Sequence, residues 1–496
     1  MQMNNEQTKW KNHSNLFEIN TWPWLTELSE HYDRKIILDN IPEEIFEGYL
    51  QYFDVVWLMG VWERSPASKR IAQEEPDLQK AYQEALDHVK EEDIIGSPYA
   101  VYYYHVDKNL GGKESLLKFR EQLLARNIKL ILDYVPNHVA RDHMWTLEKS
   151  DIFIEGTFED MNSQPDNYFS SYGRVLAHGK DPYFLPWTDT VQINAFSSEA
   201  RTKAINTLKS IADICDGVRC DMAMLVTNKI FKKTWGDKAG DPPETEFWER
   251  VIPSVRENHP DFKFIGEVYW DMEYDLMQQG FDYCYDKRLY DRILKKNVEE
   301  ITAHLNADYN YQKKLVRFLE NHDEIRVAKE LGINLSKAAA MVILTLPGMG
   351  LIYEGQMKGY TRKVPVQLKR RGEEETDLDL LTFYRNLLIL IQQNQIKTKY
   401  WEKCTSKGQE NNSGQKIISH HWWDDQNHFL IVVNFDDSET QTHISIPSLD
   451  YNTDRLSFYN ISNENKLVYQ ASEIKETGLK VELEAWKGII YEISTA

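Results

Sequence analysis

Phe264-Ile265-Gly266-Glu267-Val268-Tyr269-Trp270 runs apolar or small straight into a carboxylate and then closes on aromatics. Such a run suits a strand of a parallel barrel, buried on both faces until the chain emerges at its C-terminal end. The first polar residue at that exit is where barrels present their chemistry. A single Glu there reads more readily as a structural ion pair. The weight comes from repetition, because the same grammar occurs three more times.

Upstream, Ile128 to Val135 is an apolar run containing Asp133, halted by Pro136 and followed by Asn137-His138, and Gly217-Val218-Arg219-Cys220-Asp221 is a second. Downstream, Leu315 to Leu319 leads into Glu320-Asn321-His322-Asp323. Further strand runs lie at Leu16–Ile19, Phe53–Met59, Phe281–Tyr285 and Gly350–Tyr353. Amphipathic helices at Gly111–Arg126 and Glu199–Ile214, and one ending near Asn258, separate strands in the manner of βα units. The count predicts an α/β chain folded as a (β/α)8 TIM barrel over 1–139 and 199–395. Between Ala140 and Ser198 periodicity disappears over a length too great for a connection, so 140–198 is read as an inserted subdomain after the third strand. Gly60 to Asp93 reads as an elaborated loop on the strand-exit face. Beyond a helix at Leu378–Gln392, short alternating runs predict a C-terminal antiparallel β-sandwich over 396–496.

The chain has 496 residues, 42% of them hydrophobic, enough for a large core and more than one domain. A formal net charge of -20 argues against nucleic acid or an anionic membrane as partner. A neutral substrate is expected, and 14 Trp with 27 Tyr suit flat amphipathic ligands such as sugars. Cys215, Cys220, Cys284 and Cys404 follow no zinc or disulfide spacing and read as buried thiols. Met1 to Asn15 is polar, without a signal-peptide core, and the longest apolar run, Ala338–Tyr353, breaks at Pro347-Gly348. A cytoplasmic protein is expected.

The four strand ends, in this order, resemble the four signature segments of the α-amylase family of retaining glycoside hydrolases and transglycosidases. The resemblance spans roughly Leu16 to Gln392. It implies that Asp221 is the nucleophile, Glu267 the general acid/base and Asp323 the stabiliser of the transition state. Chemistry supports the same roles. Retention uses two carboxyls about 5 Å apart, one attacking the anomeric carbon and one protonating the leaving oxygen. Arg219 lies two residues before Asp221, on the same face of a strand, where a guanidinium keeps the nucleophile ionised and oriented. Glu267, among apolar residues and Trp270, has the surroundings that an acid working near neutrality requires. His138 and His322 resemble the family's pair that hydrogen-bonds the sugar being cleaved, and Tyr99 the aromatic on which that sugar stacks.

Some positions depart from the family pattern. Tyr102 stands where an acidic residue is usual, and Thr190-Val191-Gln192-Ile193-Asn194 is a degraded form of a family marker, whereas Gln164-Pro165-Asp166-Asn167 is closer to it but misplaced. Met224 and Leu225 replace a Lys-His pair after the nucleophile. Asn137 matches a calcium-ligating position of many relatives, but calcium takes six to eight oxygens, and no metal or other cofactor requirement is expected. The expected substrate is a short α-linked gluco-oligosaccharide. A transglycosylase or glucosyl isomerase using the same nucleophile is an open alternative. A non-catalytic binding or assembly barrel is weighed against the retention of all three carboxylates, and a metal-dependent hydrolase against the lack of a His-x-His pair at any strand end.

Overall fold

In a computed structural model of the chain, eight short strands close into a barrel. They are Asn15–Asn20, Val55–Met59, Lys129–Tyr134, Gly217–Cys220, Lys263–Gly266, Tyr283–Tyr285, Leu315–Arg317 and Met349–Tyr353, each beside its neighbours in sequence, with the first beside the eighth. The structure describes residues 9–148, 151–407 and 416–496. Part of the polar leader (1–8), of the insertion (149–150) and of the C-terminal region (408–415) therefore lies outside the described residues. By internal contact the chain forms two compact units, one built on Phe17–Tyr285 and Arg362–Glu373, the other on Asn12–Leu16, Asp286–Thr361 and Glu374–Ala496.

In the first unit, every residue of Val55–Met59, Lys129–Tyr134 and Gly217–Cys220 is buried, which is why these segments read as continuous apolar runs rather than alternating ones. The fourth strand pairs in parallel with the third and the fifth, setting Arg219 opposite Asp133 and Ile265, and Cys220 opposite Gly266. The ladder ends at Cys220 and Gly266, so Asp221 and Glu267 are the first residues past it. The helix Ser198–Ala212 returns the chain to the fourth strand. Ser197 caps it by accepting from Ala200 N–H, and Ala200, Ala204, Leu208 and Ile211 form its buried face.

Residues 140–198 hold strands of only two to four residues, Glu155–Gly156, Tyr168–Ser171 and Arg174–Ala177, in one antiparallel sheet. Such strands are too short to display a period, which explains the sequence's silence there. Thr190–Gln192 pairs antiparallel with His138–Ala140, setting Gln192 opposite His138. Ile152, Phe153, Leu176, Val191 and Ile193 give the insertion its own core. The Gly60–Asp93 segment contains the helices Pro66–Glu74 and Pro76–Ala85. It is tied to the insertion by Ser65 Oγ donating to Asp142 at 2.5 Å and Ser68 Oγ donating to Asp189 at 2.6 Å.

In the second unit, two antiparallel sheets of six and three strands face each other. Leu430, Val432 and Phe458 of the larger share one core with Ile444 and Val481 of the smaller, so this region is a sandwich. The helix Val327–Thr345 precedes the eighth barrel strand, and Trp422 Nε1 donates to Thr345 O at 2.7 Å. Among the described residues no helix is long and apolar enough to cross a membrane.

Candidate active site

Arg219 is the centre of the site in the first unit. It is 1% exposed, and its Nη1 donates to Asp221 Oδ1 at 2.7 Å. Nη2 stands 2.7 Å from Glu267 Oε2, with its N–H off the line to the oxygen, so this contact is an ion pair without an aligned hydrogen bond. The guanidinium lies against the rings of Trp57, Tyr99 and Tyr285 at 5.3, 5.2 and 5.8 Å. Burial works against its charge, but Glu267 and the other groups around it, Asp221 included, more than offset this and hold its pKa well above the usual arginine value.

Glu267, 3% exposed, receives two further donors. Met222 N–H donates to Oε2 at 2.7 Å and the Tyr269 hydroxyl donates to Oε1 at 2.8 Å. The first of these has a conformational cost, because Met222, directly after Asp221, is held in the left-handed region at φ +40° and ψ +49°. That turn aims its amide across to the neighbouring strand. Asp133 supports the base of the site: its carboxylate accepts from Trp57 Nε1 at 3.2 Å and Gly60 N–H at 3.0 Å, and stands 3.9 Å from Arg219 Nη1.

His138 is buried and also hydrogen-bonded to the backbone of Tyr99; burial lowers its pKa to about 3, so the ring is neutral near neutrality. Its ring packs on Trp187 at 5.1 Å. Tyr99, His138, Arg219, Asp221 and Glu267, chosen from sequence, are thus one connected network. In the second unit, His322 Nε2 lies 2.9 Å from Asp323 Oδ2; the His322 side chain is fully buried and that of Asp323 is 48% exposed. Asn321 Oδ1 accepts from the N–H groups of Asp323 and Glu324, forming the turn that presents Asp323. Glu320 is spent on a buried ion pair with Arg326 at 2.7 Å.

Sequence reasoning gave no role to Tyr269, Trp57 or Asp133. Asp133 was visible as a strand-end acid, and Tyr269 left a signal in its two-residue offset from Glu267, which matches that of Arg219 from Asp221. Met224 and Leu225 are 0% and 2% exposed, and so belong to the core. Gln164-Pro165-Asp166-Asn167 lies at the surface of the insertion, between the helix Phe158–Ser163 and the strand Tyr168–Ser171.

The surroundings of Asn137 do not suit calcium. Its Oδ1 accepts from Gln192 Nε2 at 2.9 Å, and its Nδ2 donates to Gln192 Oε1 at 3.3 Å, so the two amides answer each other. Among the described residues, no three His, Cys, Asp or Glu are gathered to hold a metal ion.

A family model described as the catalytic domain of alpha amylase matches residues 99–429. Alpha-amylase 3 of Dictyoglomus thermophilum is 25% identical over 315 residues, 59% of this chain and 59% of that protein. Probable oligo-1,6-glucosidase 2 of Bacillus subtilis is 23% identical over 365 residues, 60% of this chain and 64% of that one. This chain therefore spans less than two thirds of the length of either relative. Among solved structures, the α-amylase of Geobacillus thermoleovorans complexed with acarbose superposes with a TM-score of 0.68 at 17% identity, covering 98% of this chain and 99% of that one.

Proposed function

The chain belongs to the α-amylase family, and on that premise we propose that it is a retaining glycoside hydrolase of α-glucosidic bonds in short gluco-oligosaccharides. The observation that carries this reading is the sharing of one buried guanidinium by Asp221 and Glu267. Two carboxyls gathered on adjacent nitrogens of one guanidinium are held near each other, which supports double displacement, whose two carboxyls stand about 5–5.5 Å apart.

Asp221 attacks the anomeric carbon while Glu267 protonates the departing oxygen, leaving a glycosyl ester on Asp221 and a free sugar. Glu267, now ionised, takes a proton from water; the water oxygen bonds to the anomeric carbon and Asp221 is released. Arg219 offsets the negative charge on Asp221, and that on Glu267 once its proton has left. Tyr99 stacks on the sugar and neutral His138 bonds its hydroxyls; the family resemblance assigns His322 to the same task and Asp323 to stabilising the positive charge that develops on the ring.

Two features favour short substrates. Met224 and Leu225 are buried and offer no donors to sugars beyond the scissile bond. The Gly60–Asp93 segment and the 140–198 insertion are locked together through Asp142 and Asp189, as walls of a pocket would be. The test is a time course on soluble starch beside a panel of α-linked di- and oligosaccharides, with products separated by chromatography. Turnover of maltotriose with starch left largely intact is expected. A rapid loss of iodine staining with few reducing ends would overturn the preference for short chains, and oligosaccharides longer than the substrate would mark transfer to sugar in place of hydrolysis.

A further inference from the structure

The fifth strand, which ends just before Glu267, is four places from the first in the closed ring of eight, so the two stand opposite each other across the barrel mouth. The exits on these two sides differ. Past the fifth strand, Asp271 and Tyr274 are exposed. At the end of the first, Asn20 and Thr21 are 0% exposed, and Gly60 and Val61, which follow the second strand, are buried as well. Polar residues at a strand exit are thus covered on the side of the mouth that faces away from Glu267.

The cover is the 60–96 segment welded to Arg362–Glu373, both of the first unit. Ile95 N–H donates to Gln367 O and Lys369 N–H to Asp93 O, each at 2.8 Å. The Asp93 carboxylate, 1% exposed, accepts from Arg370 Nε at 2.8 Å and from its Nη2 at 2.9 Å, a two-point pair. Tyr82, Leu86 and Ile94 share one apolar core with Val364 and Leu368. On the other flank, Thr26 Oγ1, in the helix Thr21–His31 after the first strand, donates to Lys369 O at 2.8 Å. With the ties of Ser65 and Ser68 to the insertion, one wall runs from 140–198 to that helix.

The wall reaches the stacking residue itself. Arg64 Nη1 donates to Gly96 O at 2.5 Å and to Val366 O at 2.7 Å, pinning both segments three residues before Tyr99. Packing there is close: Gly60 has φ +79°, and a Cβ on it would come within 3.0 Å of Arg64 Nη2 and 3.1 Å of Pro98 Cβ.

We propose that this wall closes the site on the glycone side, so that the enzyme removes sugars from the non-reducing end of an α-glucan and does not cut within it. The inference rests on the retaining-hydrolase reading and names the end of the substrate at which that reaction takes place. A chain cut internally continues past Tyr99 in both directions. Here the continuation away from Glu267 meets buried backbone and the Asp93–Arg370 pair, and parting that pair leaves its charges uncompensated.

The experiment sets 4-nitrophenyl α-maltotetraoside beside the same compound with its non-reducing sugar blocked by a 4,6-O-ethylidene bridge, products being separated by chromatography. The unmutated chain is expected to shorten the free substrate from its non-reducing end, and to act on the blocked one about 100-fold more slowly. Arg370→Ala and Thr26→Val, which loosen the wall, are expected to narrow that gap about tenfold. A gap unmoved in both variants overturns the wall as its cause. Equal rates on the two substrates by the unmutated chain overturn the closure itself. Turnover of neither by the unmutated chain overturns the hydrolase reading, and the closure with it.

Discussion

Arg219 Nη2 lies 2.7 Å from Glu267 Oε2, an approach made possible because Arg219 pairs in register with Ile265, two residues before the glutamate. The same guanidinium bonds Asp221. Arg219→Lys keeps the charge but replaces the planar fork by a point, and cannot face both carboxylates. A fall in kcat/KM of about 10²–10³-fold is expected, on the scale of losing one preorganised charge contact. Arg219→Leu leaves two buried carboxylates uncompensated and is expected to lower stability by about 3–5 kcal/mol as well. Steady-state rates and denaturant melts of the two variants separate these effects.

Asp221→Asn removes the atom that forms the glycosyl ester, so turnover is expected to drop by several orders of magnitude with the fold intact. Glu267→Gln is also expected to be crippled on oligosaccharides, but partly rescued on substrates whose leaving group departs without a proton. Near-normal turnover by Asp221→Asn would show that the nucleophile lies elsewhere.

The buried histidines set the acid limit of stability. Burial lowers His13, His138 and His420 to about 3, and His143 and His178 to about 4. A histidine whose folded pKa lies below its unfolded value of about 6.5 takes up its proton mainly on unfolding. The unfolded chain therefore gains protons first as pH falls, and stability is lost progressively from about pH 6.5 down toward 3–4, by up to about 1.4 kcal/mol per pH unit for each such group. Thermal unfolding followed from pH 7.5 to 4.5 is expected to show Tm falling steeply below pH 6. A flat profile would mean that these rings are not buried in solution.

The amides of Asn137 and Gln192 answer each other, and EGTA is expected to leave Tm and turnover unchanged. A large drop in Tm on chelation, reversed by calcium, would contradict this. Gln192→Ala removes one half of the pair and leaves Asn137 buried with its partner gone, at a cost of about 1–3 kcal/mol, measured as a shift in the denaturant midpoint.

The barrel was legible because its strands are buried on both faces and so leave solid apolar runs, and because Asp221 and Glu267 directly follow those runs. The insertion was legible only as a loss of pattern, since strands such as Glu155–Gly156 are shorter than one period. Contacts fixed by register rather than by sequence stayed hidden. Asp133 was visible as a strand-end acid, but its bonds to Trp57 and Gly60 depend on which strands are neighbours. The donation from Met222 to Glu267 depends on a backbone angle that no residue type at that position announces. Met224 and Leu225, whose place after the nucleophile suggested a contact with sugar, are core side chains by their burial.

One contact in the second unit sets a timetable for biosynthesis. Gly348 N–H donates to His13 Nδ1 across a separation of 335 residues, next to the place where the first barrel strand lies beside the eighth. At ribosomal rates of about 5–20 residues per second, roughly 20–70 seconds pass between the emergence of the two. Throughout that interval Asn15–Asn20 lacks its neighbour on one side, presenting an open edge of the kind that recruits other chains. Nascent chains arrested before Met349 are therefore expected to be the ones most prone to associate with other chains.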